Sequence, residues 1–160
     1  MQNETKSLLR RGALSVLPVV FVALVSSIFT YTGDHWYNTL TMPAFTPPQW
    51  VFPVAWGIVY VSLMAALYIL QGIPGFDPVR LVVPCIAVGA LNILWALLFF
   101  GLHMMVPAAF VLLALLIMLI YLFFSAMSVH SAVPWLLLPH ILWGGFAFAL
   151  NIGFILLNRM

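Results

Sequence analysis

Charged residues are confined to a few short segments of this 160-residue chain and divide it into three long uncharged stretches. The stretches cover residues 12–33, 35–76 and 81–158. A helix needs about 20 apolar residues to cross about 30 Å of hydrocarbon, so the stretches have room for one, one and three crossings. Only 5% of the residues are charged and 66% are apolar, which excludes a water-soluble domain and a nucleic-acid-binding protein. We therefore expect an integral membrane protein that resides in a lipid bilayer.

Proline and glycine residues mark the breaks between the predicted spans. Gly33 is expected to end the first span, and prolines lie near the starts of later spans, where a missing N–H costs little. No stretch alternates polar and apolar residues as a membrane barrel strand does. The sequence predicts an all-α fold, with residues 1–160 forming one domain of five transmembrane helices and a lid loop at 33–49. The helices are expected at 12–32, 50–71, 80–101, 107–128 and 133–156.

The basic residues predict how the chain is oriented in the membrane. Four of the five lie in the N-terminal segment and in the 72–80 loop, whereas Arg159 follows the last span. The positive-inside rule then places the N-terminus inside and the 33–49 loop outside. The first span is too long for the apolar core of a signal peptide, and no small-residue cleavage motif follows it. We expect a multi-pass protein of a bacterial cell membrane.

Few polar groups are left inside the predicted spans. No Asp, Glu, Lys or Arg lies in the interior of a span, which argues against an ion-coupled carrier and against acid–base catalysis. The remaining candidates are Asn92, Asn151, His140, Ser26 and Ser27. A buried amide in lipid needs a partner, so each asparagine is interpreted as a hydrogen bond between helices or, for Asn92, as a contact to a ligand. The lone Cys85 excludes an intrachain disulfide.

Aromatic residues recur on single faces of three predicted spans. A pocket between these faces would suit a flat, conjugated ligand, because ring faces provide stacking contacts and one or two amides fix its orientation. The residues are Trp56 and Tyr60 in the second span, Asn92, Trp95 and Phe99 in the third, and Trp143 in the fifth. Trp50 and Trp135 lie near span ends and are interpreted as anchors at the membrane interface.

The other side of the fifth span is smooth. Gly145, Ala149 and Gly153 follow one another at intervals of four residues. Such a face lets a neighbouring backbone approach closely. We expect it to pack within the protomer, with a dimer seam as the alternative.

Three segments resemble one known family. They read WYNTLTMPAFTPPQWVFPVAW at 36–56, LNILWALLFFG at 91–101 and PHILWGGFAFALN at 139–151. Together they resemble the tryptophan-rich sensory protein family, also called TspO or the mitochondrial translocator protein and peripheral benzodiazepine receptor family. The resemblance covers most of residues 27–158.

The resemblance implies a five-helix homodimer without a required cofactor. It implies a receptor that binds porphyrin-type tetrapyrroles or haem, and isoquinoline and benzodiazepine ligands, in a pocket closed by the first loop. Two alternatives are light-dependent porphyrin breakdown by pocket tryptophans, here Trp56 and Trp143, and passive transport of apolar metabolites. The ligand-contacting positions of the family match Ser27, Tyr37, Pro47, Trp56, Tyr60, Asn92, Trp95, Phe99, Trp143, Ala147 and Leu150.

The chain departs from the family pattern at several positions. Val88 stands where relatives often carry a glutamine, and Pro43-Ala44-Phe45 replaces a tryptophan-containing loop motif. These changes predict weaker polar recognition. The helix end LNIGFILLNR at 150–159 lacks the tyrosine of the proposed cholesterol motif, so sterol binding through that motif is not predicted.

His140 replaces a family tyrosine. A neutral imidazole three residues before Trp143 raises the hypothesis that His140 ligates the iron of a bound haem. The alternative is a histidine that hydrogen-bonds a carbonyl or the lid loop.

Overall fold

A computed structural model of the protein describes residues 2–73 and 78–158, which form helices and short loops with no strand among them. The five long helices are α1 (Gln2–Tyr37), α2 (Val51–Leu70), α3 (Pro78–Ala96), α4 (Met105–Met127) and α5 (Val133–Leu157). A π-helical segment, Leu97–Gly101, continues directly from α3. The predicted all-α fold is confirmed.

Among the described residues, five helical segments are long and apolar enough to cross a membrane, and the third runs from α3 into the π-helical segment. The segments are Glu4–Tyr31, Val51–Leu70, Val83–Gly101, Met105–Met127 and Val133–Leu157. The protein is therefore a multi-pass integral membrane protein. The ends of α2, α4 and α5 lie within two residues of the ends predicted from the sequence.

The first helix extends beyond the predicted span of 12–32 at both ends. Gly33, which was expected to end it, lies inside the helix and faces the backbone of Phe100. A Cβ at Gly33 would lie 2.5 Å from the Phe100 carbonyl oxygen, so the absent side chain permits this close approach. Because a helix tolerates a glycine at a modest cost, tertiary packing decides the local conformation here. The prediction that the lid loop starts at 33 was wrong, since residues 33–37 are helical.

One side of α4 forms the centre of the bundle. Leu112, Leu115, Leu119 and Leu122 recur at helical spacing and are almost completely buried. Leu115, Leu119 and Leu122 pack with residues of α2, α3 and α5 in one apolar cluster. Lipid tails are as apolar as leucine, so this cluster is stabilised by close packing rather than by exclusion of water.

The π-helical segment brings two neighbouring phenylalanines to the interior. The Leu102 N–H donates to the Leu97 carbonyl at 2.8 Å, which closes the wide turn. Phe99 and Phe100 lie within it, with ring centroids 4.9 Å apart. His103 then takes a positive φ of 58° before α4 begins. Single π-turns are frequent at functional sites.

The lid, defined here as residues 38–50, joins α1 to α2 and is tied to the end of α5. The Thr41 N–H donates to Asn158 Oδ1 at 2.8 Å, and Asn158 Nδ2 donates back to the Thr41 carbonyl at 3.1 Å. Pro43 of the lid covers Gly153, where an added Cβ would lie 2.8 Å from Pro43 Cγ. At Gly153, the smooth face of α5 thus receives the lid rather than a neighbouring helix.

Candidate functional site

A cavity of about 400 Å³ lies inside the bundle, next to the lid. Side chains from α1, the lid, α2, α3, the π-helical segment and α5 form its wall. Its lining is mostly aromatic and aliphatic, with a few polar side chains between the rings. This composition is typical of small-molecule sites, whose volumes run from about 300 to 1,000 Å³.

Ten of the eleven positions predicted to contact a ligand line this cavity. They are Ser27, Tyr37, Trp56, Tyr60, Asn92, Trp95, Phe99, Trp143, Ala147 and Leu150. Pro47 is half-buried within the lid and is not part of the wall. Residues from five separate elements of the chain therefore meet where the sequence predicted a pocket.

The structure adds wall residues that sequence reasoning missed. Phe52 lies one turn before Trp56, and Phe146 lies almost one turn after Trp143, so helical spacing alone could have identified both. Asp34 lies on α1, seven residues after Ser27 and three before Tyr37, so it shares their face because the helix continues past Gly33. No local pattern marks Gln49, because only the position of the lid places it at the cavity.

Trp56 is the centre of the aromatic wall. Its ring stacks on Tyr60 of the same helix, with centroids 5.5 Å apart. It also lies 6.2 Å from the ring of Trp95 on α3 and 6.4 Å from that of Trp143 on α5. Edge-to-face and offset contacts at these distances are favourable and hold ring orientations. Three helices thus present preorganised rings to one space.

Tyr37 forms the part of the wall nearest the lid. Its ring meets Phe154 of α5 edge-on, with centroids 5.3 Å apart, and lies 6.5 Å from Phe99. Tyr37 is outside the membrane-spanning part of α1, and desolvation by burial raises the pKa of its hydroxyl. The hydroxyl is therefore neutral at physiological pH and able to donate a hydrogen bond.

Asn92 is hydrogen-bonded to His140 across the bundle. Asn92 Nδ2 lies 3.2 Å from His140 Nε2, and both residues are buried. This contact matches the interpretation of Asn92 as a hydrogen bond between helices. The Asn92 carbonyl oxygen is buried without a hydrogen-bond partner among the described residues, so it is the atom left for a ligand.

Asn151 has a similar divided role. Its Nδ2 donates to the Met105 carbonyl at the start of α4 at 3.0 Å, as expected for a hydrogen bond between helices. The residue also lines the cavity, and its Oδ1 is buried with no partner in the described part of the chain. Each asparagine therefore donates through its amide nitrogen to a residue of another helix, while its carbonyl oxygen has no hydrogen-bond partner among the described residues.

Six buried polar atoms without a hydrogen-bond partner, as judged over residues 2–73 and 78–158, belong to residues of this one wall. They are Ser26 Oγ, Tyr37 Oη, Asn92 Oδ1, Trp95 Nε1, Trp143 Nε1 and Asn151 Oδ1. A buried polar group left unpaired costs about 1–3 kcal/mol, and such groups are few in folded proteins. Their concentration around one cavity indicates a place where a ligand supplies the missing partners.

His140 does not fit the role of an iron ligand in this cavity. The residue is 1% exposed and is not part of the wall. Its Nε2 is engaged by Asn92, and its ring meets Trp56 edge-on at 6.1 Å. His140 is a hydrogen-bonding residue of the core, but its partner is the side-chain amide of Asn92 rather than a carbonyl or the lid loop.

The tryptophans interpreted as interface anchors lie outside the cavity. Trp50 and Trp135 are 68% and 67% exposed. Both lie at the ends of helices, Trp50 just before α2 and Trp135 in the first turn of α5. Their exposure suits the aromatic belt of a membrane protein.

Comparison with known proteins gives one consistent result. The sequence pattern of the TspO/MBR family matches residues 14–157. Tryptophan-rich protein TspO of Archaeoglobus fulgidus is 33% identical over 149 residues, which cover 90% of this chain and 94% of that protein. Protein CrtK of Rhodobacter capsulatus is 30% identical, with 91% and 94% covered. Translocator protein of Ovis aries is 31% identical, with 74% and 72% covered.

Proposed function

The chain belongs to the TspO/MBR family, and we propose that it binds porphyrin-like tetrapyrroles in the cavity next to the lid. In this proposal, the rings of Trp56, Tyr60, Phe99 and Trp143 stack against the macrocycle. Asn92 accepts a hydrogen bond through its carbonyl oxygen. The lid covers the ligand once it is bound.

The ring arrangement supports a flat and conjugated ligand. The planes of Trp56 and Trp95 are inclined by 33°, whereas Trp143 stands at 84° to Trp56. A planar macrocycle can therefore meet ring faces on one side and a ring edge on another, which are the two preferred aromatic contacts. A branched aliphatic ligand would use neither geometry.

The six unpaired polar atoms of the wall carry the proposal. The tyrosine hydroxyl and the two indole N–H groups can donate to carboxylates at the edge of a porphyrin. The two asparagine oxygens can accept from pyrrole N–H groups or from protonated acids. A purely apolar ligand would leave all six atoms buried and unpaired, so the wall favours a ligand that is apolar in its plane and polar at its rim.

The size of the cavity gives the lid a role in entry. A tetrapyrrole is a large ligand for a cavity of about 400 Å³, so we expect the lid to move outward during binding. The two hydrogen bonds between Thr41 and Asn158 are then the contacts that must open and close.

Quenching of tryptophan fluorescence by protoporphyrin tests the proposal in detergent-solubilised protein. We expect Trp143→Ala to weaken binding about tenfold, since a loss of about 1.4 kcal/mol of stacking corresponds to that factor. Asn92→Ala is expected to weaken it as well. Trp135→Ala is the matched control, because this tryptophan is largely exposed and does not line the cavity. Equal affinity for Trp143→Ala and Trp135→Ala would contradict the proposed site.

Light-dependent porphyrin breakdown is a second candidate function. The indole rings of Trp56 and Trp143 lie 6.4 Å apart and both line the cavity, so a bound, excited macrocycle would be in direct contact with two oxidisable side chains. Illuminated and dark samples of bound protoporphyrin would be compared by absorbance. Breakdown that persists in a Trp56→Phe, Trp143→Phe double variant would exclude a breakdown reaction that depends on these two tryptophans. Unchanged absorbance of the wild-type sample in the light would leave porphyrin binding as the remaining proposed function.

A further inference from the structure

A second cavity of about 1070 Å³ lies between α1, α2 and α3. It shares Tyr60 and Asn92 with the first cavity and extends from there toward the N-terminal end of α1. Most of its wall is apolar, with residues such as Val22, Leu63 and Ile86. Nothing in the proposed porphyrin site accounts for this space.

The far end of the second cavity is basic. Lys6, Arg10 and Arg11 of α1 all contribute to its wall, and no carboxylate is found among the described residues that line it. Lys6 and Arg10 are one helical turn apart, which places them on the same side of α1. The cavity is therefore amphipathic along its length, with three cationic groups at one end and an apolar channel behind them.

Arg11 is held in place by the end of α2. Its guanidinium carbon lies 5.3 Å from the centre of the Tyr68 ring, a cation–π contact. The absence of a side chain at Gly72 makes room for it, because a Cβ there would overlap Arg11 Nη2. Arg11 Nε is buried and has no hydrogen-bond partner in the described part of the chain. The cation is thus positioned, while part of its hydrogen-bonding capacity is unused.

The backbone around Arg11 is fixed by a polar contact between α1 and α2. Gln71 Nε2 donates to Ser15 Oγ at 2.7 Å, and Ser15 Oγ donates to the Arg11 carbonyl at 2.8 Å. This link sets the separation of the two helices where the basic end of the cavity lies. The basic end of the cavity is accordingly defined by specific contacts between α1 and α2.

We propose that the second cavity binds one anionic glycerophospholipid of the surrounding bilayer. The phosphate of the headgroup binds Arg11, with Arg10 and Lys6 close by, and an acyl chain extends along the apolar wall toward Tyr60. Guanidinium groups bind phosphate oxygens through paired charge-assisted hydrogen bonds, and basic clusters at membrane ends attract anionic headgroups.

Other occupants match only part of this wall. A free phosphate ion would use the basic end but leave the apolar channel unfilled. A zwitterionic phospholipid would fill the channel and bring a phosphate to Arg11, but its ammonium group would be repelled by Lys6 and Arg10. A lipid whose headgroup has a net negative charge complements both the basic end and the apolar channel of the cavity.

Lipid retention measured by native mass spectrometry tests the proposal on the whole chain. The protein is equilibrated with equal amounts of phosphatidylglycerol and phosphatidylcholine that carry identical acyl chains. We expect several-fold more of the bound lipid to be phosphatidylglycerol. Arg11→Gln should abolish most of this preference, whereas Arg159→Gln, two residues beyond the end of α5, removes the same charge and should preserve it.

A cavity-filling variant separates a lipid inside the cavity from one attracted to the surface. Ala90 lines the apolar part of the second cavity only, and Ala90→Phe should reduce retained phosphatidylglycerol several-fold. Quenching by protoporphyrin should stay at the wild-type level, which shows that the variant is folded and that the two sites are independent. Excess inorganic phosphate should not displace the lipid.

Four results would overturn the proposal. The first is equal retention of the two lipids by the wild-type protein. The second is equal behaviour of Arg11→Gln and Arg159→Gln. The third is displacement of the lipid by inorganic phosphate, and the fourth is unchanged retention in Ala90→Phe. Each of the last two outcomes places the anion at the surface rather than in the cavity.

Discussion

The side chains of Asn92 on α3 and His140 on α5 form a buried hydrogen bond, with Asn92 Nδ2 3.2 Å from His140 Nε2. An amide nitrogen can only donate, so the imidazole accepts at Nε2 and carries its own proton on Nδ1. The bond fixes the rotation of α3 relative to α5, and it leaves the Asn92 carbonyl oxygen as the unpaired atom. His140, one of the positions interpreted from the sequence as a departure from the family pattern, thus orients a wall residue of the cavity.

Replacement of this histidine should affect stability rather than haem ligation. We expect His140→Ala to lower the melting temperature, because loss of the partner leaves the Asn92 amide buried and unpaired, at a cost of about 1–3 kcal/mol. The absorption spectrum of bound haem should stay unchanged. His35→Ala, at an exposed position near the end of α1, is the matched control. A spectral shift found only in His140→Ala would mean that the imidazole ligates iron.

The hydrogen bonds between Thr41 and Asn158 should control how fast a ligand leaves. We expect Asn158→Ala to increase the dissociation rate of protoporphyrin several-fold, since both bonds between the lid and α5 are lost. Stopped-flow fluorescence would measure the rate. Thr39→Ala removes a lid hydrogen bond that stays local, to the Trp36 carbonyl, and should behave as wild type. Identical rates for the two variants would show that this contact does not restrain the lid.

The two glycines on the smooth face of α5 should differ in their tolerance of a methyl group. Gly153→Ala places a Cβ 2.8 Å from Pro43 Cγ, so we expect it to displace the lid and weaken ligand retention. A Cβ at Gly145 would have no described atom within 4 Å, so Gly145→Ala should be neutral. Limited proteolysis of the lid, together with porphyrin dissociation, would compare them. A neutral Gly153→Ala would contradict the packing of Pro43 on α5.

The buried hydroxyl of Tyr37 should make the stability of the fold decrease at alkaline pH. Burial raises the pKa of the Tyr37 hydroxyl above the ordinary value of 10.0. The contribution of this group to the free energy of unfolding is therefore fully present below pH 10 and is lost as the pH rises through the folded-state pKa. Thermal melts between pH 9 and about 11, centred on the ordinary tyrosine pKa, should show a smaller loss for Tyr37→Phe than for the wild type. Tyr31→Phe is the control, because Tyr31 is 86% exposed. Equal losses in both variants would exclude Tyr37 as the source.

The number of helices could be predicted from the sequence because charges are costly in lipid. Eight charged residues and a few prolines therefore mark where the chain leaves the membrane. The helix faces that line the cavity could be predicted as well, because residues one turn apart lie on the same side of a helix. Trp56 and Tyr60 are such a pair, and so are Trp143 and Ala147. These two regularities account for the agreement between the predicted wall and the observed one.

Contacts between distant segments could not be predicted in the same way. Gly33 has the local signature of a helix end, but it lies inside α1, and the nearby backbone of Phe100 accounts for the glycine at that position. Pro47 belongs to a characteristic loop motif, yet the fold of the lid keeps it out of the wall. The second cavity depends on the separation of α1 from α2 and α3, which no single helix encodes.

The π-helical segment at Leu97–Gly101 accommodates one residue more than an α-helix would in the same rise. A deletion of one residue there would restore regular winding and rotate one of the two phenylalanines out of the cavity. A substitution changes the side chain at a fixed place, whereas an insertion or deletion here changes how many rings face the ligand. Evolution could therefore alter ligand preference at this segment through chain length, with the helices on either side preserved.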